Sequence, residues 1–160
     1  MAMPSLKVGE TFSKRYEFDA AEIVAFAKAA HDPNPLHHDE AWAKRTRFGG
    51  LIACGAHTTG VFTSLCAEWF SERFDTVGLE FSFRLRRAVP AGLSAFFTWS
   101  VTSVEPAEKH GGVIATVEGT ISDADGRVYT LGKGTVLACP KGSFLKERAM
   151  DLAEAGDGAA

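Results

Sequence analysis

Apolar residues recur along this chain with two periods. Ile23, Phe26, Ala27 and Ala30 stand at i, i+3, i+4 and i+7, one face of a helix. Asp19 precedes that face and Glu22 follows three residues later, the spacing of a capping box that satisfies N–H groups at a helix start. The helix must stop near His31, because Pro33 and Pro35 push Asp32 and Asn34 out of helical geometry. "DPNPLH" is therefore an ordered turn, and a short helix is expected from Asp39 to about Arg45. A glycine-led run, "FGGLIACGAHTTGVFTSLCAEWFSERF", comes next. Its Val61, Phe62, Leu65, Cys66, Trp69 and Phe70 spread over about half a helix circumference, so something large has to cover it.

The period then changes to two. "GLEFSFRLRR" alternates strictly, which predicts a half-buried strand with Leu79, Phe81, Phe83 and Leu85 on one face and Glu80, Ser82, Arg84 and Arg86 on the other. "LSAFFTWSVTSV", "GVIATVEGTI" and "RVYTLGKGTVLA" are further strand runs, separated by "EPAEKHG" and by "SDADG", whose Asp125-Gly126 signals a hairpin. "ETFSKRYEF" is a strand near the start. Strand, helix, short helix, long apolar helix and four antiparallel strands describe an α+β protein in which a sheet wraps one buried helix, the hot-dog pattern. One domain over residues 1 to 145 is expected. Residues 146 to 160, small and polar, are expected to form a disordered tail.

Composition narrows the function classes. At 160 residues and 46% apolar, the chain can build a core without a staple or a structural metal. Its 17 basic and 20 acidic residues are scattered, which leaves no footprint for nucleic acid. Cys54, Cys66 and Cys139 lack metal-ligand spacing and are odd in number, as suits a reducing compartment. No apolar run reaches membrane-span length, and "MAMPSLKVGE" does not read as a signal peptide. A cytoplasmic location with no membrane partner is expected.

Three of the five histidines, His31, His37 and His38, fall within the stretch "AHDPNPLHHD". Asp32 and His37 flank the proline-stiffened turn, so both can face one cleft with little entropy left to lose. A carboxylate beside an imidazole is an acid/base arrangement, although a capping Asp and a solvated His would have the same spacing. "GGLIACGAH" brings glycines to the start of the long helix, where backbone N–H groups and the helix dipole can stabilise an oxyanion. Gly55 is the natural donor, since no side chain blocks a carbonyl there. Arg84, Arg86 and Arg87 are candidate phosphate contacts or a solvated strand face. No metal is expected, because no second ligand cluster accompanies the histidines.

Residues 26 to 58, "FAKAAHDPNPLHHDEAWAKRTRFGGLIACGAHT", resemble the hydratase motif of the MaoC-like dehydratases and (R)-specific enoyl-CoA hydratases, and "RLRRAVPAG" extends the likeness. The resemblance implies a hot-dog homodimer that reversibly hydrates a trans-2-enoyl thioester to the (R)-3-hydroxyacyl thioester. It implies no cofactor beyond the coenzyme A of the substrate. Asp32 and His37 become the acid/base pair, and the Gly55 N–H becomes the oxyanion donor. Asn34, Ala56, His57, Arg84 and Arg86 become substrate contacts, with Asn34 ordering the turn. Gly60 stands where the family places a serine, Leu93 where an acid of the Pro-Gly-Asp turn stands, and Ala88 where a proline is usual. Two rivals share the fold. A thioesterase would need a carboxylate on the central helix, where Glu68 lies about three turns from Gly55. A non-catalytic acyl-thioester binding subunit would have lost the site.

Overall fold

The computed structural model describes residues 5–145. The expected tail, 146–160, lies outside the described residues. Strand β1 (Thr11–Glu17) leads into helix α1 (Ala20–Ala29), a 3₁₀ turn (Pro35–His37), the short helix α2 (Glu40–Ala43) and the long helix α3 (Gly55–Arg73). Strands β2 (Asp75–Leu85), β3 (Ser94–Ala107), β4 (Gly112–Ser122) and β5 (Val128–Cys139) complete the fold. The five strands form one antiparallel sheet in the order β1-β3-β4-β5-β2. It wraps α3 as a hot-dog fold requires.

The contact between helix and sheet is built on glycine. One row crosses the whole sheet through Phe12, Trp99, Gly119, Gly132 and Phe83. Trp99 lies over the two central glycines: a Cβ on Gly119 would meet the indole at 2.6 Å, and one on Gly132 would meet it at 2.6 Å and Phe62 at 2.8 Å. Phe62 of α3 stacks on the same indole with centroids 4.1 Å apart. The Trp99 Nε1–H donates to the Phe62 carbonyl at 3.0 Å, so the buried indole keeps its polar atom satisfied. Gly132→Ala would overpack this layer, at a cost of about 1–3 kcal/mol.

Phe62, Leu65, Cys66 and Phe70 of α3 are buried, as its apolar spacing predicts. Ion pairs tie the helix to the chain's start: Glu68 to Lys14 of β1 at 2.7 Å, and Arg73 to Glu10 at 3.0 Å.

Several expectations are corrected. The strict alternation of β2 is broken by a bulge between Gly78 and Glu80, which leaves Leu79 without a paired position. Phe81, Phe83 and Leu85 pair with the inward positions Gly134, Gly132 and Thr130, but Val77, Leu79 and Leu85 are exposed. β2 is an edge strand, so alternation there does not guarantee burial. Strand β3 continues through Glu105, Pro106 and Ala107, part of the expected separator, and only Glu108–His110 turn. Asp19 caps α1 through the N–H groups of Ala21 and Glu22, but Glu22 does not return the bond. Its carboxylate accepts the Tyr16 hydroxyl at 2.7 Å instead. Ala30 is exposed, beyond the end of the helix.

Candidate active site

Each step of the turn that holds Asp32 and His37 has its own hydrogen bond. Helix α1 ends in a Schellman motif: Asp32 N–H donates to Ala27 O at 2.9 Å and His31 N–H to Lys28 O at 3.1 Å. His31 occupies the left-handed position with φ 54°, where glycine is usual. Asp32 Oδ1 then accepts from Asn34 N–H at 3.0 Å, and Asn34 Oδ1 from Leu36 N–H at 3.1 Å. The two side chains thus cap successive turns, and the prolines lock the backbone between them.

This leaves Asp32 Oδ2 facing the imidazole of His37, 3.7 Å from Nε2. The other ring nitrogen, Nδ1, donates to the Ile52 carbonyl at 2.8 Å. A carbonyl only accepts, so Nδ1 carries the hydrogen and Nε2 is the nitrogen left with a lone pair to accept one. Ile52 is itself held: its N–H donates to Leu36 O, and the flanking Leu51 and Ala53 bond to Ala91 and Val89. His37 is 7% exposed, so most of its ring is fixed by packing. His38 turns away, with Nε2 3.1 Å from the Pro33 carbonyl at the surface.

Segment 51–53 runs directly into α3. Cys54 is the N-cap, its Sγ accepting from His57 N–H at 3.4 Å. The N–H groups of Gly55 and Ala56 lie in the first turn, where the helix supplies no acceptor and its dipole is positive. A Cβ on Gly55 would come 3.1 Å from Leu85 Cδ1, so glycine is what lets the last residue of β2 approach the helix start.

A cleft of about 320 Å³ joins these parts, lined by His37, Gly55, Thr58, Leu85, Arg47 and Arg86 among others. His37, Ile52, Ala53, Thr58 and Val89 form its buried wall, while Arg47, Phe48, Leu85, Arg86 and Arg87 are exposed around it. Arg87 is tied down, donating to the Val128 carbonyl at 2.6 Å. A family model described as "MaoC like domain" matches residues 5–122. The chain belongs to the MaoC-like domain family.

Named proteins resemble it over shorter stretches. The 3-hydroxybutyryl-CoA dehydratase of Methylorubrum extorquens is 38% identical over 60 residues, 38% of this chain and 38% of that protein. The (R)-specific enoyl-CoA hydratase of Aeromonas caviae is 38% identical over 68 residues, 42% of this chain and 51% of that protein. The matched stretches thus span about two-fifths and about half of these curated relatives. The solved (R)-hydratase from A. caviae involved in PHA biosynthesis superposes with a TM-score of 0.73 at 29% identity, over 85% of this chain and 98% of that one.

Not every residue singled out in the sequence of this MaoC-like protein lies at the cleft. Asp32, His37, Gly55 and Arg86 come together there, Asp32 through its contact with His37. Asn34 works on the turn, and Ala56 is exposed beside Gly55. Arg84 is exposed on β2 and lies off the cleft. His57, expected among the substrate contacts, is 1% exposed and packs in the core instead. Arg47, Phe48 and Leu85 also line the cleft; the "TRFGG" run before the helix is the sequence signal for the first two, and Leu85 has none.

Proposed function

We propose that the protein reversibly hydrates a trans-2-enoyl thioester, carried on coenzyme A, to the (R)-3-hydroxyacyl thioester. The observation that carries this reading is the facing of Asp32 Oδ2 and His37 Nε2 across 3.7 Å, beside the cleft that His37 and Gly55 line. A water seated beside the pair would lie within hydrogen-bonding reach of both groups. One member of the pair takes a proton from that water as its oxygen adds to the β-carbon, and the other delivers a proton to the α-carbon from the same side. Charge developing on the thioester oxygen is met by the Gly55 N–H at the positive end of α3. Arg47 and Arg86 at the rim supply positive charge where the phosphate-bearing carrier leaves the cleft.

The thioesterase alternative gains no support from α3. Glu68 is engaged by Lys14, and Glu72, also on the helix, lies further still from Gly55. All three cysteines are buried free thiols, which supports a reducing compartment such as the cytoplasm. The exposed Val77, Leu79 and Leu85 on edge strand β2, against Ser13, Lys14 and Arg15 on edge β1, support a homodimer joined along β2. A stable monomer in light scattering at micromolar concentration would remove that part of the reading.

The function is tested by following loss of enoyl absorbance over a series of trans-2-enoyl-CoA thioesters, with free thiol measured in the same samples and the product resolved on a chiral column. Hydration to the R product is expected. Thiol release without hydration would favour the thioesterase, and binding without turnover the non-catalytic subunit.

A further inference from the structure

His57 is the second buried histidine, and its surroundings differ from those of His37. Its ring lies flat on Phe26 of α1, centroids 4.6 Å apart and planes 8° from parallel, with Phe18 and Tyr16 meeting it edge-on. Its Nε2 is 3.3 Å from the Tyr16 hydroxyl, and that hydroxyl lies 2.7 Å from Glu22 Oε2. A carboxylate only accepts, so the Tyr16 hydrogen goes to Glu22 and the Tyr16 oxygen accepts from His57 Nε2–H. Nδ1 is then the nitrogen with the lone pair, and it is buried without a partner among the described residues.

The place of this ring in the fold gives it a task. His57 is the third residue of α3, two positions after Gly55. Phe26 precedes by one residue Ala27, whose carbonyl holds the Asp32 N–H. The Phe26–His57 stack therefore joins the helix start that carries the oxyanion donor to the helix end that carries the acid/base turn. Glu22 and Tyr16 extend the junction to β1. A buried nitrogen without a partner costs stability, and the ring is kept there nonetheless.

We propose that His57 is a positioning residue: its stack on Phe26 and its bond to Tyr16 set the spacing between the Gly55 N–H and the Asp32–His37 pair. This rests on the hydratase reading for its kinetic consequence, but its structural consequence can be measured without substrate.

His57→Leu fills similar space while removing both contacts, and His57→Phe restores the stack alone. In the hydration assay, His57→Leu should lower kcat roughly ten- to a hundredfold with KM unchanged, the scale of a sub-ångström to ångström misplacement. His57→Phe should recover most of that loss, and both should melt near the wild-type temperature. Phe26→Leu removes the same stack from the α1 side and should reproduce the kinetic signature, which keeps the test open if His57→Leu fails to fold. Hydrogen exchange at His57 and Thr58, whose N–H groups bond to Cys54, should accelerate in Phe26→Leu, and that at position 57 and Thr58 in His57→Leu, relative to the middle of α3. Wild-type kcat in either leucine variant, an activity loss that follows the melting temperature, or unchanged exchange at the helix start would each overturn the proposal. If wild-type protein hydrates no enoyl thioester, the functional reading fails, and the exchange result alone then decides whether His57 holds the helix start.

Discussion

His37 and His57 are both buried, both contact a hydrogen-bonding partner, and both lie within the stretch that resembles a hydratase motif. They differ in what the second nitrogen faces. His37 gives Nδ1–H to a backbone carbonyl and presents Nε2 to a carboxylate and a cleft. His57 gives Nε2–H to Tyr16 and presents Nδ1 to apolar packing. Burial alone therefore says little about a histidine's work. A ring nitrogen that can exchange its proton with something in a cleft suits chemistry, and one enclosed by aromatic rings suits architecture.

The strongest way to break this contrast is to remove the proposed acid/base pair. Asp32→Asn and His37→Ala should each lower the hydration rate by roughly two to four orders of magnitude while the protein stays folded. The double variant should be little worse than the poorer single one, since the two groups act on one addition. Independent, multiplying losses would show that the 3.7 Å facing of the two groups is not a functional unit.

A smaller effect should appear at His57, in stability against pH. Burial lowers its affinity for a proton, and the nearby Glu22 carboxylate only partly offsets this. The unfolded chain therefore takes up the proton at a higher pH than the folded one. Stability from this residue is complete above the ordinary histidine value and falls as the pH drops below it. Denaturant midpoints taken from about pH 7.5 down to about pH 5, around the ordinary histidine pKa, should slope less in His57→Phe than in wild type. Equal slopes would mean that the ring is not held neutral in the core.

The two exposed histidines of the turn complete the series. His31 sits at φ 54°, a conformation that costs a side-chain-bearing residue about 1 kcal/mol or more, so His31→Gly should raise stability by about that amount without changing kcat. His38→Ala should change neither, because its ring lies at the surface against the Pro33 carbonyl. A severe loss of activity in His38→Ala with retention in His37→Ala would shift the acid/base assignment by one residue.

Much of this was legible in the sequence where local chemistry decides the outcome. Prolines and Asx caps fix the 31–37 turn from within, and a 3.6 period marks α3 whatever covers it. Reading failed where packing in three dimensions, rather than spacing along the chain, decides the partner. The inward residues of β2 alternate, but the Gly78–Glu80 bulge and the edge position leave Leu79 in solvent. Glu22 has the spacing of a capping box, yet Tyr16, on a neighbouring strand, offers a better donor than a helix N–H. His57 sits in a motif associated with substrate, but its ring stacks on Phe26, a contact that spacing along the chain does not reveal. Leu85 lines the cleft beside Gly55, where a Cβ would press on its side chain.

The glycine-paved layer beneath α3 also has an optical consequence. Of the three tryptophans, Trp42 is 37% exposed and Trp69 half-buried under Arg73, whereas Trp99 has no solvent contact and is held between Phe62 and the glycines of β4 and β5. With Trp42 and Trp69 replaced by phenylalanine, the remaining emission would come from an indole whose dry, aromatic surroundings and whose bond to the Phe62 carbonyl exist only while α3 is seated on the sheet. The protein thus carries a fluorophore whose colour reports the docking of its central helix, separately from the formation of the strands around it.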